Sequence, residues 1–266
     1  MRILNHEAIG ADAASSWLYV LHGIFGAGRN WGTVARRLVR TRPDWGVVLV
    51  DLREHGASRG FPPPHTVAAA AADLAPLAAE TGRPVRAVLG HSFGGKVALA
   101  YAATRPPALE QVWVIDSTPA AGEPSGSAWR MLGLIRAMPS RFASRSELVE
   151  ALVEEGFAPP VGQWMATNLE RVDDGYRWRF DLDAVEALIR DFFRADLWPL
   201  VENAGPAIRI VKATESSVLS DDVAARIRRA GSGGRVRLDA LVGGHWLNAD
   251  NPDGLIDLLK SGLPGA

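Results

Sequence analysis

Two rhythms of apolar and polar positions run along this chain. Apolar runs four to six residues long, often rich in β-branched side chains, occur at Trp17 to Leu21, Val47 to Val50, Val85 to Leu89, Val112 to Ile115, Ile208 to Ala213 and Val236 to Leu241. Runs that short suit strands buried on both faces. Between them lie segments with helical spacing. Asn30 to Val39 puts Val34, Leu38 and Val39 on one face and arginines on the other. Val67 to Thr81 is alanine-rich, and Lys96 to about Thr104 ends ahead of Pro106-Pro107. Asp221 to Arg229 and Pro252 to Lys260 complete the set, and Ile3 to Ile9 alternates as an edge strand would. Strands alternating with helices predict an α/β fold, a mostly parallel sheet covered by helices on both faces.

The rhythm breaks after Pro119. Trp129 to Met138, Glu147 to Glu155, Gln163 to Arg171 and Leu182 to Phe193 read as helices, and Tyr176 to Phe180 as a short extended piece. Ser144-Arg145-Ser146-Glu147 has the form of a capping box opening the second helix. The pattern predicts a helical cap over residues 119–196, inserted into a core of residues 1–118 and 197–266. A length of 266 residues with 47% apolar side chains suffices for such a core. A formal net charge of −1 gives no ground for a nucleic-acid or membrane partner. The sequence has no cysteine, which removes disulfides, thiolate metal sites and cysteine nucleophiles, and fits a cytoplasmic protein. Residues Met1 to Glu7 carry no apolar signal region, and no run approaches the ~20 apolar residues of a membrane span. The expected partner is a small molecule; the oligomeric state is left open.

Candidate chemistry centres on Gly90-His91-Ser92-Phe93-Gly94, between a predicted strand and a predicted helix. A strand turning directly into a helix strains the residue at the bend, and small flanking residues allow the close approach. The Ser92 hydroxyl then stands clear of the sheet beside the Phe93 amide at a helix N-terminus. Serine needs a base, itself oriented by an acid. Of six histidines only His245 lies far downstream of Ser92, after the last strand and on the same carboxyl edge. His91 adjoins the serine, so its side chain is expected to point elsewhere. For the acid, Asp116 at the end of its strand is the first choice, with Glu215, Asp221 and Asp222 as alternatives after the next strand. The loop His22-Gly23-Ile24-Phe25 offers the Ile24 amide as a second oxyanion donor beside that of Phe93. Nothing in this chemistry requires a metal or organic cofactor. A dinucleotide site on the same glycine-rich loop fails on glycine order, which is Gly-x-x-Gly-x-Gly. Asp51, Arg53 and His55 are expected to form a structural ion and hydrogen-bond cluster under the site. Met131, Leu132, Leu134, Ile135, Trp164 and Met165 suggest an apolar pocket in the cap, and Trp31 and Trp246 are taken as core, with pocket lining as their second role.

Together, Leu21-His22-Gly23-Ile24-Phe25-Gly26 with Asn30-Trp31, Asp51-Leu52-Arg53-Glu54-His55-Gly56-Ala57-Ser58, Gly90 to Lys96, Asp116-Ser117-Thr118-Pro119, Tyr176 to Phe180 and Gly244-His245-Trp246 resemble the α/β-hydrolase superfamily. Within it they look like a small bacterial esterase group with mitochondrial relatives. Position 54 is Glu where that group carries Asn. The resemblance implies an α/β-hydrolase fold, hydrolysis of carboxylic esters or acyl thioesters, and an acid after the sixth strand, which matches Asp116. Two other readings remain on the same residues. One is a C–C hydrolase or lyase like the menaquinone-pathway relatives, which would favour arginines such as Arg130, Arg136, Arg141 and Arg171 facing the pocket. The other is a catalytically silent binding module.

Overall fold

A computed structural model describes residues 2–11, 13–203 and 205–265; Met1, Asp12, Ala204 and Ala266 lie outside the described residues. Strands β1 (His6–Ile9), β2 (Ser16–Leu21) and β3 (Trp45–Val50) come first, with α1 (Gly32–Thr41) between the last two. Helices α2 (Val67–Ala72) and α3 (Leu74–Thr81) precede β4 (Val85–His91), α4 (Phe93–Ala103) and β5 (Gln111–Ile115). An insertion follows, and then α9 (Trp198–Glu202), β9 (Ala207–Ala213), α10 (Asp221–Ala230), β10 (Val236–Leu241), α11 (Leu247–Asp250) and α12 (Pro252–Gly262). Among the described residues the main sheet has the order β1-β3-β2-β4-β5-β9-β10. Only β1 runs antiparallel; every other neighbouring pair is parallel.

The continuous apolar strands are those with a helical layer on each face. In β2, Leu18 and Val20 join Val34 and Leu38 of α1 and Leu255 and Leu259 of α12. Tyr19 and Leu21 point the other way, into a core shared with Leu74 of α3 and Val97 of α4. Burying a side chain of this size contributes about 1.5–3 kcal/mol, and all six residues of β2 and of β3 are buried. The chain steps from β2 outward to β3 and then back past β2 to β4. Strand order therefore reverses beside β2, and the crevice above the carboxyl ends of β2 and β4 is where such sheets place a ligand.

The insertion holds α5 (Gly126–Ala137), β6 (Arg141–Phe142), α6 (Arg145–Glu154), α7 (Pro159–Ala166), β7 (Leu169–Val172), β8 (Gly175–Trp178) and α8 (Leu182–Arg194). Strands β6, β8 and β7 form a small antiparallel sheet, so the segment is less purely helical than its periodicity suggests. The helix expected over Gln163 to Arg171 ends at Ala166, and Leu169 onward is strand. Pro159 and Pro160 start that helix early, in the first turn where a missing N–H costs nothing. Gly175, at φ +136 and with its Cβ position 2.3 Å from the Phe142 carbonyl, lets the hairpin close against β6.

Three other expectations shift. The helix over Val67 to Thr81 breaks at Asp73, because Pro76 in the first turn of α3 has no N–H to give to the preceding turn. The Asp73 carboxylate there grips Arg53, 2.7 Å from its Nε. The capping box is half formed: Ser144 accepts from the Glu147 amide at 3.1 Å, but the Glu147 carboxylate reaches the Ala143 amide instead of that of Ser144. The edge strand starts only at His6, since Asn5 turns its side chain to Asp51 and its amide to Ser58. None of the helices is long and apolar enough to cross a membrane, among the described residues.

Lys96 joins the insertion to the core. It is fully buried, and its Nζ donates to the carbonyls of Ala120 (2.8 Å), Phe192 (2.6 Å) and Ala195 (2.7 Å). The first of these lies where the chain leaves β5 for the insertion, and the other two lie at the end of α8. Burial pushes the ammonium down to about 8, against the pull of Asp196 and Asp191.

Candidate active site

Ser92 caps α4 with φ +52 and ψ −117, a conformation few residues adopt and one that costs of order 1–3 kcal/mol. The flanking glycines are what make it possible. A Cβ on Gly90 would sit 1.9 Å from the Gly94 carbonyl, and one on Gly94 would sit 2.5 Å from the Leu21 carbonyl. Ser92 lines a cavity of about 340 Å³ together with His22, Gly23, Ile24, His91 and His245. Phe93 is the first residue of α4, so its N–H precedes any intrahelical acceptor and is left facing outward from the helix.

His245 follows β10, and its Nδ1 lies 2.7 Å from Oδ2 of Asp116. The imidazole keeps 23% of its surface exposed, while Asp116 is completely buried. The contact engages Nδ1 with the buried carboxylate, and Nε2 is the ring nitrogen that Asp116 leaves unengaged. Asp116 sits at φ +42 just after β5. Its amide donates to Val211 (2.8 Å), and its Oδ1 accepts from the Ala213 amide (3.2 Å), so two bonds to β9 fix the turn. The other carboxylates considered are engaged elsewhere or face outward: Asp221 pairs with Lys212 at 3.0 Å, and Glu215 and Asp222 are exposed.

The first loop is braced peptide by peptide. The carbonyl of Gly23 accepts from His22 Nδ1 (2.7 Å) and from the Gly26 amide (3.0 Å), which turns the Ile24 N–H, on the far side of the same peptide, away from both. The Phe25 amide donates to Nε2 of His55 (3.1 Å), and Nδ1 of His55 donates to the Arg53 carbonyl (2.9 Å). The Phe25 carbonyl accepts from Nδ2 of Asn168, in the insertion, at 2.8 Å. His22 in turn accepts the Leu52 amide at Nε2 (3.0 Å). Desolvation holds both rings neutral: it lowers His22 and brings His55 to about 3, with the nearby His22 as the second cause for His55.

The cluster expected of Asp51, Arg53 and His55 is joined only where His55 Nδ1 meets the Arg53 carbonyl, and the three side chains brace different segments. Asp51 receives the amides of Gly28 and Ala57 and the side chain of Asn5, Arg53 binds Asp73, and His55 holds Phe25. Glu54 adopts φ +62, the left-handed conformation that Asn tolerates best, and its carboxylate recovers stability by accepting the amides of Phe61 (2.6 Å) and Gly60 (3.2 Å).

His91 does not point away from the site. It lines the cavity, its ring lies 4.7 Å from that of His245, and its Nε2 is 2.7 Å from the His245 carbonyl. Its place directly before the turning serine carries its side chain past Gly23, whose Cβ position is 3.1 Å from His91 Nδ1. Of the six apolar residues expected to form a pocket, Met131 and Trp164 line it, whereas Leu132, Ile135 and Met165 are packed in the core and Leu134 is not among the lining residues. Phe157, Pro160, Val161, Trp31 and Trp246 add to the apolar wall. Sequence periodicity missed Asn168 because it lay inside a predicted helix.

The sequence profile of the Alpha/beta hydrolase family matches residues 18–258. The sn-1-specific diacylglycerol lipase ABHD11 of Mus musculus is 26% identical over 271 residues, covering 98% of this chain and 85% of that protein. Lipase LipV of Mycobacterium tuberculosis is 28% identical over 216 residues, 80% of each chain. Among solved structures, a marine microorganism esterase superposes with a TM-score of 0.82 at 23% identity, covering 96% of this chain and 97% of that one, a likeness of fold.

Proposed function

Since the chain belongs to the alpha/beta hydrolase family, we propose that it is a carboxylesterase-type serine hydrolase working through an acyl-enzyme on Ser92. Residues 119–196 act as its cap and residues 1–118 with 197–266 as its core. The observation that carries this reading is the 2.7 Å contact between Asp116 and His245 at the rim of the cavity that Ser92 lines. Nε2 of His245 takes the Ser92 proton as Oγ attacks the acyl carbonyl. The Ile24 and Phe93 amides hold the resulting oxyanion, and Asp116 stabilises the imidazolium. Collapse expels the alcohol, which leaves with the proton from His245. Water, deprotonated by the same nitrogen, then attacks the acyl-serine; the bond to Ser92 Oγ breaks as His245 returns the proton to that oxygen, and the carboxylic acid is released.

The lining of the cavity supports one substrate class. Apart from its histidines, Asp250 is the one ionisable side chain lining the cavity, and no lysine or arginine lines it, among the described residues. An uncharged acyl chain with a neutral leaving group suits this surface; a polyanionic thiol carrier does not. The names of the relatives, a diacylglycerol lipase and a lipase, support neutral esters. The lyase reading loses ground on the same observation. Arg136 is paired with Asp183 and Glu186, Arg141 with Asp174, Arg130 lies over the Phe157 ring, and Arg171 is exposed.

A p-nitrophenyl ester series of rising chain length, run beside an acyl-CoA, tests both points. A burst of nitrophenol, lost in Ser92→Ala, is expected, with esters turned over faster than the acyl-CoA. Turnover in Ser92→Ala at the wild-type rate would reject the mechanism, and an inert wild type would favour a binding module. Cytoplasmic residence belongs to the same proposal and is read by cell fractionation.

A further inference from the structure

Three consecutive peptides of the first loop are each held by one side chain. His22 and His55, which hold the first two, belong to the core. Asn168, which holds the third, belongs to the insertion. It sits between α7 and β7, is only 5% exposed, and gives its Nδ2–H to the Phe25 carbonyl at 2.8 Å. Its own backbone is tied down on both sides, by its amide to Met165 (2.9 Å) and by its carbonyl from the Arg179 amide (2.9 Å). Phe25 itself is at φ +60, a conformation that a non-glycine residue keeps only when its surroundings hold it. Its ring packs on Phe180 of the insertion, centroids 5.7 Å apart.

We propose that Asn168 is a positioning residue through which the seating of the insertion sets the alignment of the Ile24 oxyanion donor. The inference rests on the serine-esterase reading above. With the insertion seated, the amide of Asn168 fixes the Phe25–Gly26 peptide, and the strained Phe25 keeps the Ile24 amide turned to the cavity. With the insertion lifted, the carbonyl loses its donor, Phe25 loses its aromatic partner, and the loop is free to relax toward φ below zero. Binding of substrate against the insertion and stabilisation of the oxyanion in the core are thereby linked through one side-chain amide. The effect falls on transition-state stabilisation, because the donor is needed only once the carbonyl oxygen becomes negative.

Asn168→Asp keeps the shape and removes the donor. It is expected to lower kcat on a p-nitrophenyl ester by roughly ten- to a hundredfold, short of the ~10²–10³ of deleting a donor outright, with KM within about twofold. Inhibition by a trifluoromethyl ketone, whose adduct places an oxyanion in the same site, should weaken by a similar factor, while binding of the product acid stays near wild type. Should Asn168→Asp fail to fold, Asn168→Ser, too short to reach the carbonyl, is measured instead with the same expectation. Asn168→Gln, which keeps an amide donor, should recover part of the lost kcat. Wild-type kcat in Asn168→Asp, or in Asn168→Ser where that is the variant measured, or a loss carried by KM with trifluoromethyl ketone inhibition unchanged, would overturn the inference. Ser92→Ala is run alongside: its inactivity together with wild-type behaviour of the Asn168 variants rejects this inference alone, whereas turnover in Ser92→Ala rejects the esterase reading beneath it.

Discussion

His91 braces His245 from behind, its Nε2–H donating to the His245 carbonyl at 2.7 Å with the two rings 4.7 Å apart. Desolvation, reinforced by the neighbouring His245, brings the His91 ring to about 3, so at neutral pH it is one fixed donor and not a second base. His91→Phe keeps a ring and removes the donor. Steady-state kinetics should show kcat down by roughly tenfold, and denaturation a loss of about 1 kcal/mol, the net value of one such bond.

Asp116→Asn should be far more damaging to turnover than to folding. The amide keeps the size of the carboxylate but supplies no charge for the imidazolium and can present an N–H where Nδ1–H must donate. Up to ~10⁴ in kcat is at stake for such a change. Circular dichroism should report an unchanged fold while the burst slows.

Stability should fall on the acid side, and the sign follows from His55 and His91. Both are held at about 3 in the fold, below the ordinary 6.5 of a histidine. The unfolded chain therefore binds their protons first, and folding free energy is lost as pH drops from 6.5 toward 3, by up to ~1.4 kcal/mol per unit for each ring. Urea midpoints at pH 7.5, 5.5 and 4.5 should decline, and His91→Phe should decline less steeply than wild type.

Lys96→Met leaves the carbonyls of Ala120, Phe192 and Ala195 buried without their shared donor. The cost expected is about 2–4 kcal/mol. Protease should then cut within the insertion before it cuts the core, read by limited proteolysis and mass spectrometry.

What could be read from the residues was what repeats or what is sterically compelled. Strands buried on both faces leave uninterrupted apolar runs, so β2 to β5 stood out. The turn at Ser92 demands its glycines, so the candidate nucleophile stood out too, and chain order singled out His245. Short elements whose stability comes from tertiary contacts left little trace. The two-residue β6 and the five-residue α9 each depend on neighbours far along the chain. Asn168 was hidden for the same reason: a lone polar residue after an apolar helix shows nothing until the Phe25 carbonyl is placed against it. The pairing of Asp116 with His245 spans 129 positions. Strand ends limited the choice of acid to a few carboxylates, but only the register of β5 on β9, which turns Asp116 onto the Ala213 amide, picks one out geometrically.

Because a single ammonium gathers the outgoing and the returning chain at one point, everything between Ala120 and Phe192 is closed off at its base like the bow of a knot. A foreign segment spliced in there would have to leave carbonyls for Lys96 and an amide for Phe25, and also replace contacts such as those of Arg59 with Glu170 and Arg179 and of the Val67 amide with Asp191. On the esterase reading, chimeras built on that junction would test whether substrate admission can be exchanged without disturbing the chemistry at Ser92.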